Sequence, residues 1–164
     1  MVVGHAYGNS VARMVAADHP RLVKGVVLLA AGGLIPRSKD TEEKFVKVFD
    51  PAVSKEERTA AIGATFFASG HATKEWAEGW YFDVAKDQMA ARGRTPTKEW
   101  WGGGSAPILV LQGAKDLIAV PENSERLAKE FPDRVRVIEL PGIGHAMLPE
   151  NPEMIASVLL NNIR

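Results

Sequence analysis

Gly4-His5-Ala6-Tyr7-Gly8 follows the apolar pair Val2-Val3 and precedes a segment, Asn9 to Asp18, whose apolar residues recur at helical spacing (Val11 with Val15, Ala12 with Ala16). Strand, tight turn and helix in that order form the setting of a nucleophile elbow, G-x-S-x-G. There the central residue sits on a strained turn, and the outer glycines let two backbones pass closely. The frame is present here and the hydroxyl is not. Ala6 stands where the attacking side chain would stand, and a methyl group attacks nothing. Ser10, the nearest hydroxyl, lies four residues further on, inside the helix, where a serine bonds to its own backbone. A dinucleotide-binding reading of the same stretch fails on spacing. G-x-G-x-x-G would need glycines at Ala6 and Asn9, and no acidic residue closes the next strand near Leu29 to Gly32.

The surrounding chain fits one soluble α/β domain. It has 164 residues, 46% hydrophobic and 24% charged, enough to bury a core. Twenty basic residues balance twenty acidic ones, with no clustering of Lys and Arg. A nucleic-acid or anionic-membrane face is therefore not expected, and a small molecule is the expected partner. No apolar run reaches the length of a membrane span, and no basic stretch followed by an apolar signal core opens the sequence. The absence of cysteine excludes disulfides and thiolate ligands and fits a cytoplasmic location. His19 and His71 have surface contexts and no partner at metal-ligand spacing, so neither a metal nor any other cofactor is expected.

Leu22 to Ala31 (LVKGVVLLAA) is a near-continuous apolar run ending at Gly32-Gly33, the pattern of a parallel strand covered on both faces. Residues 36 to 105 then change texture, with helical segments expected over Thr41 to Phe49, Ser54 to Ser69 and Thr73 to Arg92. They close at Trp100-Trp101-Gly102-Gly103-Gly104, of which Gly102 to Gly104 are read as a return hinge. Strand character resumes at Pro107 to Gly113. A helix near Glu122 to Phe131, a strand from Arg134 to Leu140 and a last helix from Pro152 follow. Asn151 serves that helix as N-cap, and Ile155, Val158, Leu159 and Ile163 form its apolar face. The predicted domains are a core of 1–35 with 106–164 and a helical insertion of 36–105.

Asp116 follows one strand by a short turn and His145 lies in the loop PGIGH after the next, both at the carboxyl edge where open α/β sheets collect catalytic groups. Elbow, acid and histidine in that order match a known triad sequence. With GHAYGN, ADHPRLVKGVVLLAAGG, PILVLQGAKD and PGIGHAMLPENPE, the chain resembles the α/β-hydrolase family over almost its whole length. The resemblance implies that Ala6 occupies the nucleophile position, Asp116 the acid and His145 the base, with the Tyr7 backbone N–H as an oxyanion donor. It implies further that residues 36–105 are a cap, that the chain begins inside the family's fifth strand, and that the first four strands and the loop carrying the second oxyanion donor are not in this sequence. The expected fold is thus the C-terminal part of an α/β-hydrolase parallel sheet with a helical cap insertion. A dimer, or a complementing N-terminal half, is expected to cover the open side of such a sheet.

Ten of the twelve aromatic residues lie in 36–105, which points to an apolar or aromatic substrate beneath the cap, with Trp76 and Trp80, spaced i and i+4, at the pocket and most of the others in the cap's own core. His5 is read as a packing or hydrogen-bonding residue beside the elbow. Three functions stay open: a hydrolase lineage for a small apolar ester-like bond with the acyl-enzyme route disabled by Ala6; an acid–base enzyme using His145 and Asp116, as in the family's lyase-like and cofactor-independent oxygenase members; and a binding module without turnover.

Overall fold

Val26-Val27-Leu28-Leu29 is buried at all four positions, which requires cover on both faces of the sheet it enters. The computed structural model describes residues 1–70, 76 and 78–162. It places that strand, β2 (Val26–Leu29), second in a four-stranded, all-parallel sheet whose order follows the chain: β1 (Val2–His5), β2, β3 (Ile108–Gly113) and β4 (Val135–Leu140). Alternate residues of each strand serve opposite faces. Val26, Leu28, Ile108 and Val110 pack with Ala12 and Ala16 of α1 (Tyr7–Asp18) and Leu127 of α6 (Glu122–Glu130). Val27, Leu29 and Leu111 pack instead with Met147 of α7 (Met147–Glu150) and Ile155 of α8 (Pro152–Asn162). The expected parallel α/β architecture is the observed one.

Between β2 and β3 the chain forms α2 (Lys39–Val48), α3 (Lys55–Thr65), α4 (Phe82–Arg94) and the single turn α5 (Thr97–Trp100). Serine caps set the first two starts. Ser38 Oγ accepts the Thr41 N–H at 3.1 Å and Ser54 Oγ the Glu57 N–H at 3.1 Å, each satisfying a donor the helix leaves open. Asn151 caps α8 in the same way, accepting the Met154 N–H at 2.9 Å, as its sequence context predicts.

Several boundaries differ from expectation. The helix after the elbow begins at Tyr7, two residues early. The apolar run from Leu22 pairs only from Val26, because the N–H groups of Leu22 and Val23 both turn back to the His19 carbonyl, leaving Leu22 78% exposed. The helix expected over Ser54 to Ser69 stops at Thr65. The long one expected from Thr73 begins at Phe82 after Gly79, whose φ is +82°; residues 73–75, with His71 and Ile163, lie outside the described residues. α5 and α7, one turn each, are too short to show a period in sequence.

Gly102 to Gly104 are closely packed. A Cβ on Gly104 would lie 2.4 Å from the Ala16 carbonyl oxygen, and one on Gly103 would lie 3.1 Å from Arg13 Cγ. Arg13 organises this joint. Fully buried, its guanidinium donates to the carbonyls of Gly32 (2.6 Å) and Trp101 (3.4 Å) and lies 4.5 Å and 5.1 Å from the Trp100 and Trp101 ring centroids. Burial weakens its hold on the proton, pushing its pKa down to about 9, which still leaves it charged at neutral pH. Cation–π contact and three carbonyl acceptors, Asn9 O among them at 3.3 Å, replace the carboxylate such a group usually finds. One side chain thereby grips both the exit of the β2–β3 connection at Gly32 and its return at Trp101.

Candidate active site

Ala6 joins β1 to α1 with φ 51° and ψ −115°, a conformation that L-residues rarely adopt. The turn is held from both sides. The Ala6 N–H donates to the Leu29 carbonyl at 3.2 Å, and Asn9 Nδ2 donates to the carbonyls of Leu29 (2.7 Å) and Ala30 (3.1 Å), clamping the elbow onto the end of β2. Gly4 is obligatory, since a Cβ there would meet the Gly8 carbonyl oxygen at 2.2 Å. Gly8 is not required for the reason its motif position suggests: a Cβ at Gly8 would meet nothing within 4 Å. The close approach is made by Gly4 to the backbone of Gly8. Tyr7 opens α1, so its N–H belongs to the first turn, where donors lack intrahelical acceptors. Ser10 Oγ donates to the Tyr7 carbonyl at 2.8 Å, the local bond its helical position predicts.

The loops after β3 and β4 bring Asp116 and His145 together from 29 residues apart, both almost fully buried. His145 Nδ1 is 2.9 Å from Asp116 Oδ2 and 3.1 Å from Oδ1. A carboxylate accepts, so Nδ1 carries the proton and Nε2 is left with its lone pair, the form of a general base. Asp116 is itself fixed, because its Oδ1 accepts the N–H groups of Ile118 (2.9 Å) and Ala119 (2.8 Å). The turn K-D-L-I-A thus folds around the carboxylate it presents.

His5, beside the elbow, reaches the same loop. Its Nε2 lies 2.9 Å from the His145 carbonyl oxygen, which can only accept, so His5 donates from Nε2. The two rings stand 5.3 Å apart. Burial, and secondarily the neighbouring His145, lower the His5 pKa below its ordinary value, so at neutral pH it is an uncharged donor.

Over the dyad lies an aromatic cluster from the β2–β3 connection. The Phe66 ring meets the His145 ring edge-on at 5.6 Å; Trp76 and Trp80 pack on Phe66 at 6.0 Å and 5.6 Å, with Phe45, Phe49 and Phe67 around them. Trp76 and Trp80 are therefore one ring removed from His145, and Phe66, which the sequence did not single out, is the aromatic side chain against it. Trp100 and Trp101 leave this group altogether, buried in the core beneath α1. Two cavities, of about 210 Å³ between α1 and α4 and about 440 Å³ at the opposite end of the sheet, lie away from the dyad. Among the described residues no three His, Asp or Glu side chains are grouped to hold a metal ion, and no helix is long and apolar enough to cross a membrane.

Asn9, Arg13 and Glu150 are the supporting residues that the sequence reading passed over.

The sequence matches the alpha/beta hydrolase family over residues 1–158. No curated protein matches it. Among solved structures, a hydrolase from Pseudomonas aeruginosa superposes with a TM-score of 0.74 at 19% identity, covering 97% of this chain and 62% of that one. An esterase from Exiguobacterium antarcticum gives 0.71 at 18%, covering 98% and 65%. A serine hydrolase from the polyaromatic hydrocarbon-degrading bacterium Cycloclasticus zankles gives 0.65 at 19%, covering 98% and 62%. The chain spans 62% to 65% of the length of these three structures. With a family match across nearly all its residues, a parallel sheet bearing an elbow, and neighbours of the same fold, the chain belongs to the alpha/beta hydrolase family.

Proposed function

We propose that this chain carries a hydrolase-lineage site for a small apolar or aromatic ester-like substrate, in which the acyl-enzyme route is closed at Ala6 and the working group is His145. The observation that carries the reading is the pairing of an intact, buried His145–Asp116 dyad with a strained elbow that bears only a methyl group. Residues 36–105 act as the cap, and their aromatic cluster supplies the apolar contact surface next to the base.

In this scheme His145 Nε2 takes a proton from a water molecule while the water oxygen bonds to the ester carbonyl carbon. The resulting oxyanion is met by the Tyr7 N–H at the start of α1, where donors and helix dipole favour negative charge. The bond to the leaving alcohol then breaks, and its oxygen takes the proton from His145. Asp116 stays ionised throughout and stabilises the imidazolium. No step needs a serine. The same base could abstract a proton from a carbon acid, and that second reading is favoured by the same methyl group at Ala6.

The test is turnover of p-nitrophenyl acetate and aryl esters by the chain, with H145A and D116N beside it. The reading expects weak turnover, lowered at least 100-fold in H145A, with no acyl adduct detectable by mass spectrometry. Saturable quenching of tryptophan fluorescence without turnover would make the site a binding module. Turnover unaffected by H145A would remove His145 from its role.

A further inference from the structure

The loop that carries His145 is tied to the aromatic segment above it through one carboxylate. Glu150, half-buried in α7, accepts the Gly144 N–H at 2.9 Å on Oε2 and 3.1 Å on Oε1, and the Ala68 N–H at 3.3 Å on Oε2. A second tie runs parallel to it, from the Ala146 N–H to the Phe66 carbonyl at 2.7 Å. The two segments touch backbone to backbone: a Cβ on Gly144 would lie 2.6 Å from the Ala68 nitrogen. Gly144 and Ala146 flank His145, while Phe66 and Ala68 flank Phe67. The carboxylate therefore sits at the crossing of the segment that aims the imidazole and the segment that covers it.

We propose that Glu150 is a positioning residue that holds His145 in line with Asp116 and Phe66–Ala68 closed over it, so that the placement of the imidazole and access to it change together. The role in chemistry rests on the function proposed for His145; the coupling does not. Two N–H groups from different segments share one acceptor, and hydrogen bonds to a charged acceptor are the stronger kind. Releasing either segment removes a contact that fixes the Glu150 side chain, and so frees the acceptor of the other segment to move. His145 is 3% exposed beneath this segment, with the Phe66 ring 5.6 Å from its own.

The experiment uses the whole chain, labelled with ¹⁵N and without substrate, as wild type, E150A and E150Q. Amide hydrogen exchange is read at Gly144, Ala146 and Ala68 against the β3 amides, together with the low-field His145 Nδ1 proton. In E150A exchange should rise at least tenfold at all three loop amides together, with β3 unchanged and the Nδ1 signal broadened or lost. In E150Q the amide oxygen can still accept both N–H groups, as Oε2 does, but without the charge, so exchange should rise severalfold at Gly144 and Ala68 together and less than in E150A. A rise confined to Gly144 in E150A, an unchanged Nδ1 proton, or wild-type exchange in E150Q would overturn the coupling; were E150A to unfold, the E150Q result decides. Neither readout involves turnover, so an inactive chain would count against the proposed function and leave this inference standing.

Discussion

Replacing Ala6 with glycine should make this protein more stable, although it removes a methyl group from a half-buried position. At φ 51° and ψ −115° an L-residue is strained, which costs about 1–3 kcal/mol. Glycine relieves that strain. Against it stand the glycine's larger entropy in the unfolded chain, about 0.5–1 kcal/mol, and a half-buried methyl, about 0.4 kcal/mol. The balance favours A6G by about 1 kcal/mol. At a urea m-value of about 2 kcal/mol/M this moves the midpoint up by about 0.5 M. The paired control is G4A. Its new Cβ would meet the Gly8 carbonyl oxygen at 2.2 Å, with backbone on both sides and no rotamer to yield. A loss of about 2 kcal/mol or more is expected there. Both variants are read by urea unfolding followed by circular dichroism. An A6G midpoint at or below wild type with an unchanged m-value would refute the strain argument.

The His5 pKa is lowered in the folded state by burial, so below about 6.5 the unfolded chain binds more protons than the folded one. Its stability is full above that pH and falls as the solution is acidified from pH 7 to 5, by at most about 1.4 kcal/mol per unit. H5Q keeps an N–H for the His145 carbonyl and does not titrate, so equal slopes in urea midpoints for the two proteins over that range would contradict the assignment. Arg13→Lys should lower stability by about 2 kcal/mol, because one ammonium cannot serve the Gly32, Trp101 and Asn9 carbonyls and stack between two indoles; a urea midpoint within error of wild type would show the guanidinium to be dispensable. Val3, 54% exposed on β1 at the sheet's edge, should make the 164-residue chain self-associate when produced alone. Light scattering that stays monomeric to about 100 μM, against the usual behaviour of open edges, would contradict this, whereas V3K should reduce the association.

Local patterns by themselves determined the parallel α/β class. β2 reads as a strand because four consecutive apolar residues need cover on both faces. The elbow reads from Gly4 because only glycine lets β1 pass the Gly8 carbonyl, and α8 reads from Asn151 because its side chain replaces a missing acceptor. Asp116 and His145 were legible as candidates from their place after two strands. Their 2.9 Å contact, and the proton it fixes on Nδ1, came only from folding, which closes 29 residues of chain into one bond. What no local pattern carried was the place of Trp100 and Trp101. Trp76 and Trp80 join the rings above His145, while Trp100 and Trp101 turn under α1 to sandwich Arg13. Side-chain type gives an aromatic ring its affinity for burial, but which core receives it depends on chain direction after the glycine joint. Glu150 was likewise invisible as a support of the dyad, and His5 was legible as a hydrogen-bonding residue but not its partner, because both act on backbone groups brought near by folding, and a sequence has no pattern for a partner that every residue possesses.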